Sequence, residues 1–229
     1  MMSLPRGIVV SCQGPPGTAL DDPHVMVAMA LAAEQAGAVG IRAQGVADIR
    51  AIRQATKLPI IGLLKREVGG ARLITPSVDD AILVAEAGAD IVAVDLTARL
   101  RQDDATPVEH VRRLLAALNV PILADVSTVE EGLAAVEAGA ASVSSTMSGY
   151  TSYSRQSREP DLELISELSQ AVTVPVLAEG RYRTGQQVAE AFARGAHAVV
   201  IGAAITNPLE ITRWFVDAYR GSDPAPVPR

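Results

Sequence analysis

The sequence predicts one α/β domain, a single (β/α)8 (TIM) barrel, and three observations predict it. The helix ends read EQAGAVGI, AEAGADIV, VEAGAASV and ARGAHAVV, with glycines at 37, 88, 139 and 195. The phrase therefore returns after 51, 51 and 56 residues, the length of two βα units, and four such pairs give eight strands and eight helices. Second, the apolar runs at 60–64, 121–124 and 175–178 lack the alternation of a half-exposed strand. Such strands are buried on both faces, as in a parallel sheet covered by helices. Third, 229 residues suit one barrel. An open doubly wound sheet also alternates strand and helix, but eight evenly spaced units in so compact a chain favour closure. The barrel is expected over residues 1–220, with a Pro-containing flexible tail over 221–229.

Each element has a local reason. Residues 7–13 (GIVVSCQ) are the first strand, and the Pro/Gly-rich 14–20 is a loop. Asp22 caps a helix with Pro23 at its first position, running to about Gln35. A strand over 38–43 ends near Arg42, and a helix covers 46–56. The strand within 58–66 (LPIIGLLKR) opens on Pro59, since a first strand residue need not donate to the ladder, and ends at Lys65. Residues 67–76 read as a Gly-containing loop, 77–87 as a helix, 90–95 as a strand and 97–104 as a polar loop. Thr106, Pro107 and Glu109 have capping-box spacing, and Ser127 with Glu130 repeats it after the strand 121–125. A strand at 141–146 precedes a polar loop, 147–159, long enough to read as functional or mobile. Helix 160–171, strand 175–179, helix 184–194, strand 197–202 and helix 208–219 complete the order.

Composition excludes several classes. A formal charge of −6 and 3% aromatic residues suit neither a phosphate-backbone binder nor a base-stacking surface. No apolar run approaches the ~20 residues of a membrane span, and the opening MMSLPRG has no signal-peptide core. The lone Cys12 excludes an internal disulfide and fits a reducing compartment. A cytoplasmic protein with no nucleic-acid or membrane partner is expected.

In such a barrel the active site lies at the C-terminal strand ends. Here these are Gln13, Arg42, Lys65, Asp95, Asp125, Thr146, Glu179 and Gly202, nearly all polar although the strands are apolar. Lys65 reads as a partly desolvated acid/base amine, as a Schiff-base nucleophile, or as a plain solvated lysine. Glu179 is the second acid/base group facing it, or the ion-pair partner of Arg181. Asp125 would orient hydroxyls or a cation, and Asp95 would pair with Arg42 or Lys65. The glycine turns at Gly180–Arg181 and Gly202–Ala203 allow close approach of an anion, with Arg181 and Arg183 adding charge, although such turns are common after strands. His24, His110 and His197 have no ligand spacing, so no metal is expected, and Cys12 reads as a buried inert thiol.

The ordered stretches VSCQ (10–13), PIIGLLKR (59–66), ITPS (74–77), AGADIVAVDLT (87–97), ADVSTVEEG (124–132), SGYTSYS (148–154), AEGR (178–181), GAHAVVIGAAIT (195–206) and EITRWF (210–215) resemble a known family. It is the N-acetylmannosamine-6-phosphate 2-epimerases, within the ribulose-phosphate-binding barrels. The resemblance implies interconversion of N-acetylmannosamine 6-phosphate and N-acetylglucosamine 6-phosphate in amino-sugar and sialic acid breakdown, without a cofactor. It implies Lys65 and Glu179 as the catalytic pair, Gln13, Arg42, Asp125 and Arg181 at the sugar, and Gly180, Gly202 and Ala203 at the phosphate. Inversion at C2 needs either two groups on opposite faces or one group and an intermediate that turns. The sequence departs from the family at Asn207, where an arginine phosphate ligand is frequent, and Arg183 is expected to supply that charge. The rival readings are a Schiff-base barrel enzyme using Lys65 and a phosphosugar sensor without catalysis. The apolar face of the last helix (Ile211, Trp214, Phe215, Ala218) either closes the barrel or packs on a second copy in a homodimer.

Overall fold

The computed structural model describes residues 4–99 and 105–222. The order is β1 (Gly7–Cys12), α1 (Pro23–Gln35), β2 (Gly40–Gln44), α2 (Val46–Ala55), β3 (Ile60–Leu63), β4 (Lys65–Val68), β5 (Ala71–Ile74), α3 (Val78–Glu86) and β6 (Ile91–Asp95). It continues with α4 (Pro107–Ala117), β7 (Ile122–Asp125), α5 (Val129–Ala138), β8 (Ser142–Ser144), α6 (Leu162–Ala171), β9 (Val176–Glu179), α7 (Gly185–Ala193), β10 (Ala198–Ile201), α8 (Ala203–Thr206) and α9 (Pro208–Ser222). Eight parallel strands close in the order β1-β2-β3-β6-β7-β8-β9-β10, with β10 pairing back onto β1. The predicted closed barrel is the observed one.

The repeat has a backbone cause. Gly37, Gly88, Gly139 and Gly195 all stand at φ between 92° and 110°, where a side chain would be strained. Asp22 accepts the His24 N–H and caps α1, as expected. Thr106 and Glu109 close the expected box on α4. On α5 the box sits one residue later than expected, on Thr128 and Glu131, and Glu131 also accepts from Ser127 N at 2.7 Å. That second donor favours Glu131 over the more N-terminal Glu130.

Three expectations are corrected. Residues 67–76 are not a loop: β4 and β5 form an antiparallel hairpin in which Lys65 faces Ile74 and Glu67 faces Arg72. Its turn is Gly69–Gly70, at φ 57° and 80°, the positive-φ pair that a two-residue hairpin turn demands. Lys65 therefore opens the hairpin rather than ending β3. The strand expected at 141–146 stops at Ser144, and a 3-10 turn, Ser145–Met147, follows. The last helix runs to Ser222, past the expected boundary; the rest of the expected tail, 223–229, and residues 100–104 of the expected polar loop lie outside the described residues.

Val9, Ile61, Leu63, Ile91, Leu123 and Leu177 fill the barrel interior, and a larger cluster fills the space between strands and helices. Both strand faces are buried, as the unbroken apolar runs required. Among the described residues no helix is long and apolar enough to cross a membrane.

Gly62 marks the tightest packing on β3: a Cβ there would lie 2.6 Å from Ala89 Cβ and 2.7 Å from Val84 Cγ1. Its φ is ordinary, so the constraint is volume. Gly62→Ala is expected to destabilise the barrel by about 1–3 kcal/mol. In thermal melts this reads as a fall in Tm of roughly 2–4 °C per kcal/mol; an unchanged Tm would show that α3 yields at no cost.

Candidate active site

The site is built around one buried guanidinium. Arg42, on β2, is fully buried and grips Asp125, at the end of β7, with both arms: Nη1 to Oδ1 at 3.1 Å and Nη2 to Oδ2 at 2.6 Å. Asp125 is equally buried. Nη1 also lies 3.1 Å from Glu179 Oε2, at the end of β9. Burial works against the Arg42 charge; Asp125 and then Glu179 more than restore it, so its pKa is raised.

One positive charge cannot neutralise two carboxylates equally. Asp125 has the bidentate contact, while the Glu179 side chain is 15% exposed and receives one arm. Burial, with the Asp125 charge helping and Arg42 opposing, raises the Glu179 pKa. The Thr146 hydroxyl opposes this rise. Thr146 Oγ1 lies 2.7 Å from Asp125 Oδ1, 3.0 Å from Glu179 Oε2 and 2.8 Å from Ser144 Oγ. A hydroxyl has one proton to give. That proton goes to Asp125 or to Glu179, and where it reaches Glu179 it steadies the carboxylate against burial. Ser145 fixes the Glu179 backbone, accepting its N–H and donating to its carbonyl, both at 3.0 Å.

Lys65 enters from the hairpin. Its Nζ donates to Gln13 Oε1 at 2.7 Å, and Gln13 Nε2 donates to Ser11 Oγ at 2.9 Å. Burial, and then the Arg42 charge, push the Lys65 amine down to about 8. Lys65 and Glu179 line one cavity of about 470 Å³, together with Thr146, Gly180, Tyr150, Arg72 and Arg99. A second lobe of about 390 Å³, lined by Gln13, Gly14 and Asn207, is also bordered by Lys65 and Arg72. Two groups with pKa values displaced toward each other, at one cavity, can exchange protons with a bound molecule near neutral pH.

Other candidates sit differently from expectation. Arg42 and Asp125 turn their polar groups to each other and to Glu179, beneath the cavity lining. Arg181 stands at φ 63° and donates to the carbonyls of Glu159 (2.9 Å) and Ser148 (2.8 Å), bracing the loop 147–159; it does not pair with Glu179. Arg183 stacks on Trp214, 4.5 Å from the ring centre, and is not in the cavity lining. Asn207 accepts from Glu210 N at 3.0 Å and so caps α9. Gly202 precedes α8, and neither it nor Ala203 lines the cavity. Asp95 pairs with Arg99 rather than with Arg42 or Lys65. Burial pushes the Cys12 thiol up to about 12, as an inert thiol requires. Among the described residues no three or more His, Cys, Asp or Glu side chains are placed to hold a metal.

Arg72, Arg99 and Tyr150 were missed in the sequence. Only Arg72 had a usable signal, the Gly69–Gly70 turn that folds it back beside Lys65. The long loop is tied rather than loose: Tyr153 Oη donates to Glu131 at 2.6 Å and accepts from Ala98 N at 3.0 Å.

Fold and site together define a (β/α)8 barrel whose cavity is lined by an amine and a carboxyl group with displaced pKa values. Residues 26–221 match the family model described as "Putative N-acetylmannosamine-6-phosphate epimerase". The chain belongs to this N-acetylmannosamine-6-phosphate epimerase family. A relative from Caldanaerobacter subterraneus subsp. tengcongensis is 45% identical over 218 residues, covering 94% of this chain and 92% of that one. One from Cutibacterium acnes is 43% identical over 220 residues, covering 95% and 96%. Both are named as 2-epimerases of the family substrate. The solved structure of the N-acetylmannosamine-6-phosphate 2-epimerase from Clostridium perfringens superposes with a TM-score of 0.88 at 39% identity, covering 94% of each chain.

Removing Asp125 would leave a buried guanidinium with only a share of Glu179. Asp125→Ala is therefore expected to cost about 3–5 kcal/mol of folding stability, measured by urea denaturation. A loss below 1 kcal/mol would mean that the pair is not the support described.

Proposed function

We propose that the enzyme interconverts N-acetylmannosamine 6-phosphate and N-acetylglucosamine 6-phosphate by proton transfer at C2, with Lys65 and Glu179 as the two acid/base groups. The observation that carries this reading is that both line one cavity while hanging from separate supports, Gln13 for Lys65 and Arg42 with Thr146 for Glu179. In the open-chain sugar the C1 carbonyl acidifies the C2 proton. One group takes that proton as the C–H electron pair moves into the C1–C2 bond and the carbonyl pair onto O1. The charge on O1 is stabilised by nearby cations. As the carbonyl re-forms, the other group delivers its proton to the opposite face of C2. Each turnover moves a proton from one group to the other, and exchange with water resets the pair.

Gln13 is the sugar contact in this reading, and Arg42 and Asp125 are positioning residues acting through Glu179 and Thr146. The same reading makes the enzyme cytoplasmic, as amino-sugar breakdown is. A homodimer through α9 belongs to it as well; Phe215 and Tyr219 there are 73% and 67% exposed.

Proton NMR of N-acetylmannosamine 6-phosphate with the enzyme in D₂O is expected to show N-acetylglucosamine 6-phosphate carrying deuterium at C2 from the first turnover. Product retaining the substrate hydrogen would replace two groups by one. Borohydride with substrate should trap no adduct on Lys65; an adduct would favour Schiff-base chemistry. Lys65→Ala and Glu179→Gln should each lower kcat by roughly 10²–10⁴-fold.

The pH profile follows from the same pair. Turnover in both directions needs one proton on the pair. Lys65, held at about 8, loses its proton above that pH, so kcat/KM should fall as pH rises through about 8. It should fall again on the acid side, where both groups are protonated. A profile flat from pH 7 to 10 would exclude Lys65 as an essential proton carrier.

A further inference from the structure

We infer that Arg72, carried on the β4–β5 hairpin, is the cation that binds the substrate's phosphate, in the lobe it shares with Gln13, Gly14 and Asn207. The inference rests on the phosphosugar reading above for the identity of the anion.

A phosphate dianion in a protein cavity needs a guanidinium or ammonium at hydrogen-bonding distance. Most cations around this mouth are committed elsewhere. Arg42 is fully buried and held by Asp125 and Glu179. Arg99 lines the first lobe but is held by Asp95 and Thr97, with 20% of its side chain exposed. Arg181 is fastened to two backbone carbonyls and Arg183 lies flat on Trp214. Lys65 borders both lobes, but it is required at the reacting carbon. Arg72 also borders both lobes. Its ion pair with Glu67, at 2.8 Å, is the weakest hold among these, because both side chains are more than 60% exposed. A solvent-exposed pair of this kind is weak, so an incoming dianion can displace the carboxylate. Asn207, which also lines this lobe, is neutral and spends its side-chain oxygen capping α9.

The hairpin links this contact to the chemistry. Lys65 and Arg72 belong to one antiparallel ribbon, with Glu67 directly opposite Arg72. A phosphate held by Arg72 pins the ribbon that delivers Lys65. The phosphate thereby selects the substrate and sets the geometry of the amine together.

The test is calorimetric binding of inorganic phosphate, N-acetylglucosamine 6-phosphate and N-acetylglucosamine to the wild type, Arg72→Gln, Arg72→Lys and Glu67→Gln. Arg72→Gln is expected to weaken the two phosphate-bearing probes by roughly 10–100-fold and to leave N-acetylglucosamine unchanged. Arg72→Lys should restore part of the loss, and Glu67→Gln should tighten both phosphate-bearing probes by a few-fold. In turnover, Arg72→Gln should raise KM far more than it lowers kcat. Its alkaline pH limb should also move upward, because the Arg72 charge helps to depress Lys65; an altered fold alone would not shift that limb. The inference is overturned if Arg72→Gln binds both phosphate-bearing probes as the wild type does, or if Arg183→Gln alone produces the loss. Failure of the epimerase reading is separate: it would appear as Arg72-dependent phosphate binding without deuterium at C2.

Discussion

The buried contact between Arg42 and Asp125 sets the terms for everything around it. The two residues sit on β2 and β7, with β3 and β6 between them, and Glu179 is on β9, separated from β7 by β8 and from β2 by β10 and β1. In an open sheet these side chains would be separated by the intervening strands. Closure into eight strands brings them to one point, and the ion pair exists only in the closed form. Its desolvation is costly, and it is compensated only when the geometry is good. The bidentate grip at 2.6 and 3.1 Å meets that condition for Asp125 and leaves Glu179 with the remainder. The unequal share separates two carboxylates at strand ends: Asp125 takes the bidentate contact, and Glu179, with one arm, has its pKa raised by burial.

The same charge acts in two directions. It steadies Glu179 against the full effect of burial, and it depresses Lys65, which it repels. Without Arg42, burial and the Asp125 charge would raise Glu179 further, and Lys65 would lose a source of repulsion. Burial narrows the gap between an amine and a carboxylic acid, which in water differ by about six pKa units, because it lowers the amine and raises the acid, while the Arg42 charge draws both downward. Thr146 completes the arrangement, its hydroxyl within hydrogen-bonding distance of both carboxylates.

This division explains what the sequence disclosed. The barrel was legible because its cause is local: glycines forced to positive φ at 37, 88, 139 and 195 recur at a countable interval. Unbroken apolar runs report burial on both faces. Lys65 and Glu179 were legible as ionisable residues at the ends of such runs. The hairpin was not read because strands of four residues carry little periodicity, although Gly69–Gly70 marked its turn. The partners of Arg42, Arg181 and Arg183 were not legible either. Each is chosen by groups far along the chain: Asp125, the carbonyls of Ser148 and Glu159, and the ring of Trp214. Sequence spacing places a charge at the mouth; only the closed geometry decides which charges are already spent.

Lys65 and Glu179 therefore hang from supports of unequal stiffness. Glu179 is locked into the barrel by Ser145 and the buried charges. Lys65 stands on a two-stranded ribbon, and such a ribbon is marginal on its own. Here it is fastened at its base: Leu73 and Ile74 are buried, and Arg66 donates to Asp80 in the first turn of α3 at 2.7 and 3.0 Å. Thr75, at φ 46°, turns the chain out of the ribbon and accepts the Leu64 N–H at 3.1 Å. A non-glycine residue in that region costs roughly 1–3 kcal/mol, and it persists because these contacts over-determine it. Toward the tip, Glu67 and Arg72 are more than 60% exposed and are held to each other by an ion pair at the cavity's edge. Burial is thus graded along ten residues, from a base packed against the barrel and α3 to an exposed tip. The Lys65 amine is therefore carried at the fastened end of the ribbon, and the Glu67–Arg72 pair at the exposed end.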